Sequence, residues 1–233
     1  MFGPKPKMKL VDYDQNIHMP RHIAEKLNDL FFILLVLKKG EEKNLSTTIG
    51  VLIKTLFKTK IDSEFKFFNT GFYLYNQGPF NTDFYTYVDE LSSTGIVQKD
   101  NYNLSLTTKG LTLIQPLIEE LKRNHDEVYE CIEKLVEGNL ENSKDFFKTV
   151  STLHEEVVVD QNQQVVKMKD KIKNGVYSGD YVERVQKIKG EYKLPSKVLN
   201  SMLDLEAGIS QKDQNEVATY GSVNELLAAI SHD

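Results

Sequence analysis

Between residues 84 and 121 the spacing of apolar side chains changes twice, and this double change restricts the fold more than any other feature of the chain. Phe84, Val88 and Leu91 fall at three- and four-residue steps, the mark of a helix with one buried face, predicted from about Asn81 to Ser93. Gly95 stops it, because glycine accepts the φ > 0 that a helix end often requires. Ile96 and Val97, then Leu104-Ser105-Leu106, read as two short strands joined by the polar loop Lys99–Asn103. Thr107 or Thr108 then caps a long helix carrying Leu111, Leu113, Ile114, Leu117, Ile118 and Leu121.

Upstream, Ile23, Leu27, Leu30, Phe31, Leu34 and Leu37 predict a first helix with an unusually wide apolar face, ended by Gly40. Such a face suits a central core helix or part of a dimer seam. Ser46, Thr47 and Thr48 can cap a second helix with Ile49, Leu52, Ile53 and Leu56 inward. The aromatic stretch Phe65–Tyr75 suits a short strand or extended connector, and Asn76-Gln77-Gly78-Pro79 supplies a turn. The order helix, helix, short strand, helix, two-stranded wing, helix is that of a winged helix-turn-helix.

Beyond His125, apolar runs at Val128–Leu135, Phe146–Val157, Val165–Ile172, Tyr181–Ile188 and Val198–Leu205 read as helices. A polar linker over 208–221 precedes a last helix capped by Ser222. The expected fold is therefore mainly α with a small β wing: a winged helix-turn-helix followed by an all-helical C-terminal region. The corresponding division is 1–18 as an N-terminal arm, 19–124 as the winged helix-turn-helix, and 125–233 as a helical dimerisation or partner-binding region.

Composition bounds the function. With 40% hydrophobic and 27% charged residues the chain is ordinary globular material. Its single cysteine, Cys131, forms no internal disulfide, so a reducing, cytoplasmic setting fits best. The run Leu30–Leu37 is far short of the roughly 20 apolar residues a bilayer demands, and nothing at the N-terminus resembles a secretion signal. Residues 1–124 hold 16 Lys/Arg against 14 Asp/Glu, whereas 125–233 hold 13 against 20, so only the first half leans toward the basic footprint of a nucleic-acid binder. His154-Glu155-Glu156 lacks the spacing of a zinc helix, Pro20 breaks the register between His18 and His22, and no phosphate loop or nucleophile elbow is present. Cys131 sits on an apolar stripe beside Ile132 and reads as structural. No enzyme, metal or cofactor is expected.

The segment Gly71-Phe72-Tyr73-Leu74-Tyr75-Asn76-Gln77-Gly78-Pro79-Phe80, with Tyr87-Val88-Asp89-Glu90-Leu91, Thr94-Gly95-Ile96-Val97 and Leu106-Thr107-Thr108-Lys109-Gly110, resembles the YwgA-like group of bacterial and archaeal proteins. More distantly the layout is similar to Panacea or SocA-like antitoxin domains, and its wing to those of PadR and MarR repressors. The resemblance covers about 20–124. It implies a winged helix and a DNA-binding regulator or antitoxin-like autorepressor.

In the usual duty of that fold the third helix enters the major groove while the wing and helix ends hold phosphates. On that reading Lys54, Lys58, Lys60 and Lys99 grip phosphates, with Lys5, Lys7 and Lys9 of the arm. Asn81, Thr82, Thr86 and Tyr87 approach bases, and Asn101 and Tyr102 add polar contacts from the wing. The partners are then double-stranded DNA and, as two-fold sites favour, a second copy of the chain. Against this stand Asp83, Asp89 and Glu90 on the third helix, which has no Lys or Arg to release counterions. The alternative is a protein-interaction adaptor that keeps the fold without binding DNA. The aromatic cluster from Phe65 to Tyr87 is assigned to the core, except for Tyr87, which is expected to point outward.

Overall fold

The computed structural model describes residues 21–63, 65–66, 71–75, 78–143, 157–160, 164–167, 169, 181–184, 190–191, 194–195, 197–199 and 201–202. The arm, the segment from Phe146 to Leu153, the polar linker and the Ser222 helix lie outside the described residues. Five helices dominate the rest: α1 (Arg21–Glu42), α2 (Ile49–Asp62), α3 (Thr82–Ser93), α4 (Thr108–Asn124) and α5 (Asp126–Asn142).

The wide apolar face of α1 is explained by its position. Leu30 to Leu37 are each at most 1% exposed, and consecutive residues 100° apart cover every side of a helix, so α1 is wrapped on all sides. It packs on α2, α4 and α5 and on strand β6 (Asn103–Leu106). This burial is complete within one chain and needs no dimer seam. The helix does not stop at Gly40. It continues to Glu42 and closes at Asn44, which takes φ 53° while Leu45 N–H donates to Gly40 C=O (2.8 Å) and Asn44 N–H to Glu41 C=O (3.0 Å). Gly40 is needed for a different reason: a Cβ there would collide with the Thr47 hydroxyl.

Thr48 caps α2 by accepting from Val51 N–H, and Asn81 caps α3 by accepting from Asp83 N–H. The inner stripe of α3 is Phe84, Val88 and Leu91, as its spacing predicts. At its end Gly95 takes φ 70°. Ile96 N–H then reaches Leu91 C=O (2.9 Å), and both of those side chains are buried, which closes the helix and turns the chain into the next strand.

β5 (Val97–Asp100) and β6 form an antiparallel hairpin in which Asp100 faces Asn103. The expected five-residue loop is therefore only Asn101-Tyr102; Asn101 adopts φ 53°, tolerated by its short polar side chain, and the flanking polar residues are drawn into the ladder. The third strand of this sheet, β1 (Thr47–Thr48), lies between α1 and α2, giving the order β1-β6-β5. Thr107 ties the hairpin to α4. Its hydroxyl accepts from Gly110 N–H (3.1 Å) and donates to Gly95 C=O (2.7 Å). Gly110 lies so close to Ile96 C=O that a Cβ would strike it. The Leu-Thr-x-x-Gly run is thus a packing joint, and Thr107→Ala is expected to cost about 1 kcal/mol or somewhat more in equilibrium denaturation, because a cap and a loop tether disappear together.

The aromatic stretch supplies β2 (Phe65–Lys66) and β3 (Phe72–Tyr75), and β3 pairs with β4 (Gly78–Phe80). β4 is an edge strand, the one place in a sheet where Pro79 is tolerated. The remaining strands correct the expected all-helical C-terminal region. β7 (Val157–Asp160), β8 (Val165–Lys167) and β9 (Tyr181–Arg184) complete a sheet of order β4-β3-β9-β7-β8, and β10 (Gly190–Glu191) pairs in parallel with β2. Short valine-rich runs satisfy helix and strand spacing alike, and here cross-strand pairing decides: β7 with β8 and β9, and β9 with β3 of the first half. Helical backbone does occur at 197–199 and 201–202, within the run predicted from Val198. α5 is seated on α1, α2 and α4 through Val128, Tyr129, Ile132, Val136 and Leu140, and Cys131 is half-buried. Among the described residues no helix is long and apolar enough to cross a membrane.

Candidate functional site

The face formed by α3 and the β5–β6 hairpin brings together Thr82, Thr86, Lys99, Asn101 and Tyr102 of the residues that the sequence singled out. Thr82, Asp83, Thr86, Asp89 and Ser93 are exposed along α3, and Asn101 and Tyr102 stand at the hairpin tip, with Tyr102 85% exposed. Thr86 Oγ1 donates to Thr82 C=O at 3.5 Å, a long bond within the same helix.

Two aromatic positions exchange roles relative to expectation. Tyr87 is half-buried, edge-on to Phe84 (6.3 Å between centroids), with the Lys26 ammonium 5.9 Å from its ring. Tyr85 is the outward one, 40% exposed and 5.6 Å from Phe80. The helical wheel accounts for this. Tyr87 lies roughly 60° from Phe84 and borders the buried stripe, whereas Tyr85 lies about 100° away on the other side. Tyr85 was findable from spacing alone. Lys26, which joins α1 to α3, was not.

The predicted cations are not assembled there. Lys54 and Lys60 are 5% and 4% exposed, buried along α2. Burial lowers the Lys54 ammonium pKa to about 8, and Lys60 Nζ lies 5.5 Å from the centre of the Phe72 ring. α2 is covered by α1 and α5 and also touches β1 and β4, so little of its circumference faces solvent. Lys58 pairs with Asp62 (2.6 Å) on the same helix. Asn81 is buried too, its Nδ2 donating to Gly71 C=O at 2.6 Å while its Oδ1 caps α3, so it holds structure and does not face a base. Lys5, Lys7 and Lys9 lie outside the described residues.

Two of the cations that reach the α3 face are paired with its carboxylates. Lys99 of β5 pairs with Asp89, and Lys26 with Glu90 (2.9 Å). Lys109 donates to Thr94 C=O (2.9 Å). Asp83 and Asp100 remain exposed. The face is therefore polar and mildly acidic, with two projecting tyrosines.

Comparison with protein-family models, curated proteins and solved structures found no match.

A second polar assembly lies at the C-terminal end of α1. The Lys39 side chain is only 6% exposed and contacts Glu42 (2.8 Å), Glu133 and Glu137 (3.2 Å). Tyr129 Oη donates to Glu133 at 2.9 Å. Burial opposes the Lys39 charge, but hydrogen bonds to Glu133, Glu42 and Glu137 outweigh it and hold its pKa above the usual lysine range. Desolvation likewise opposes ionisation of Glu133, and hydrogen bonds from Lys39 and Tyr129 reverse that and keep its pKa low. Lys39, Glu42 and Glu133 are thus held in the charged states of a structural ion pair. Among the described residues no three His, Cys, Asp or Glu side chains are arranged to hold a metal ion.

Proposed function

We propose that this chain is a winged-helix protein akin to the YwgA-like group, and that it works without catalysis by binding another protein through α3 and the tip of the β5–β6 wing. Support for the winged-helix reading comes from the order α1-β1-α2, then α3-β5-β6 after the inserted strands β2, β3 and β4, together with the sheet order β1-β6-β5. The observation that carries the adaptor reading is the charge of the α3 face: Asp83 exposed, Lys99 and Lys26 engaged by Asp89 and Glu90, and Lys54 and Lys60 buried. A duplex draws most of its affinity from cations that displace its counterions, and such a face supplies few. Exposed tyrosines beside polar groups suit a protein surface, where aromatic side chains carry much of the binding energy.

Tagged full-length chain purified from its own cells is expected to bring down a protein in fixed ratio. Tyr102→Ala, which sits on an exposed turn, should weaken that complex by about tenfold or more, the scale of an aromatic anchor. Asp83→Lys should weaken it by charge reversal. Recovery of nucleic acid alone, with affinity falling steeply as salt rises, defeats the adaptor reading.

A second reading, a dimeric DNA-binding regulator or antitoxin-like autorepressor, is favoured by the same strand order and by the exposed Thr82, Thr86, Asn101 and Tyr102. The Lys99–Asp89 pair is exposed and therefore cheap to break, about 0–1 kcal/mol, so a phosphate can recruit Lys99. Gel shifts at low salt decide: retardation of duplex fragments, lost in Lys99→Ala, supports this reading.

A further inference from the structure

We propose that the last turns of α1 couple α5 to the β5–β6 hairpin, so that loosening of α5 is transmitted to the hairpin. The link stands on packing and holds whichever partner the α3 face takes.

Residues 39 and 43 share one side of α1, and residue 41 lies about 200° around the helix from residue 39. The two sides grip different elements. On the first, Lys39 meets Glu133 and Glu137, and Lys43 meets Glu137 (3.6 Å) and Glu141 (3.4 Å), so three successive turns of α5 are held. On the second, the Glu41 carboxylate accepts the backbone N–H of Leu106 in β6. Between them Gly40 faces the Thr47 side chain of β1, so near that a Cβ would meet its hydroxyl, and β1 pairs with β6 with Thr47 opposite Leu104. Close packing of this kind leaves the turn little room to absorb a shift, so motion on one side passes to the other.

The seating of α5 itself depends on polar contacts as well as on its apolar stripe. In the buried seam with α2, Thr55 Oγ1 donates to Ser143 Oγ and Asn139 Nδ2 to Thr59 Oγ1, both at 3.4 Å. Such groups hold one register when satisfied and oppose intermediate positions, because half-made polar contacts in an apolar seam are costly. α5 is thus held in one register, and a loosened contact at one of its edges is felt at the others.

Hydrogen exchange on the full-length chain tests this. Glu137→Gln and Lys43→Met loosen the partly exposed end of the α1–α5 contact without opening a cavity, and Lys39→Met removes the central cation. The amides of 126–142 should exchange about five- to tenfold faster, matching the loss of partly buried ion pairs, and those of 103–106 should follow by a similar factor. In Glu137→Gln and Lys43→Met the amides of 84–91 in α3 should keep wild-type rates, which separates coupling from the general loss of stability that Lys39→Met also brings. Glu41→Met, which removes the acceptor, should act in reverse and speed 103–106 together with 133–141, since coupling is reciprocal. If α5 loosens while 103–106 stay protected, if Glu41→Met loosens only the hairpin, or if exchange is unchanged in all four variants, the link does not exist.

Discussion

Replacing Lys54 by methionine is expected to stabilise the protein at neutral pH by about 1–3 kcal/mol, raising the thermal midpoint by several degrees. Lys54 is 5% exposed on α2, and burial lowers its pKa from 10.5 to about 8. Between those two values the unfolded chain holds a proton that the folded chain has released, so wild-type stability should rise with pH across that window. Below pH 8 both states carry the charge, and burial opposes it in the folded state alone. Methionine fills similar volume with no charge, so the variant's advantage should be complete at pH 7 and fade as pH passes 8 toward 10.5. Denaturant titrations of both proteins at pH 7, 9 and 10.5 measure it directly. A variant less stable than wild type at pH 7 would mean that the ammonium sustains an interaction worth more than its desolvation.

Lys39→Met should do the opposite, lowering stability by about 1–3 kcal/mol. Both lysines are buried, but Lys39 is surrounded by Glu42, Glu133 and Glu137, and its removal leaves three carboxylates facing one another at the α1–α5 contact. The partial exposure of those carboxylates keeps the loss below that of a fully enclosed pair. The acid limb of the stability profile identifies the cause. Desolvation alone would raise the carboxyl pKa of Glu133 and of Glu42, but hydrogen bonds from Lys39 and Tyr129 to Glu133, and from Lys38 and Lys39 to Glu42, bring both below the ordinary glutamate value of 4.5. Their contribution is therefore complete above that value and is lost as pH falls through the lower folded-state values. Wild type should lose stability below about pH 4.5 more steeply than Lys39→Met. Parallel curves for the two proteins would show that the pairing contributes nothing.

Opposite outcomes for two buried lysines show where sequence reading reaches its limit. Lys54 follows Ile53 and Lys39 follows Lys38, and neither setting announces burial; in both cases the neighbours that decide the energy come from other elements. Lys54 and Lys60 were assigned to a phosphate-gripping surface because lysine is ordinarily exposed, yet α2 is covered on several sides. The same holds for Asn81. Its cap of α3 is local, but its bond to Gly71 C=O buries it.

What neighbours along the chain control was readable without coordinates: the Phe84, Val88, Leu91 stripe, the positive φ at Gly95, the Thr107 cap and the hairpin between them. Each is a matter of helical period, backbone sterics or a hydrogen bond spanning a few residues, and such terms act wherever the segment finds itself. Pairing across long separations was not readable. β1 against β6, β9 against β3 and β10 against β2 join residues far apart in sequence, and a run such as Val157–Asp160 carries no mark of the strand that will receive it. The charge of the α3 face belongs to the same class, since it depends on which lysines from α1 and β5 fold against Asp89 and Glu90. Local energies chose the elements; their assembly, a competition among distant surfaces for burial, chose which charges meet solvent.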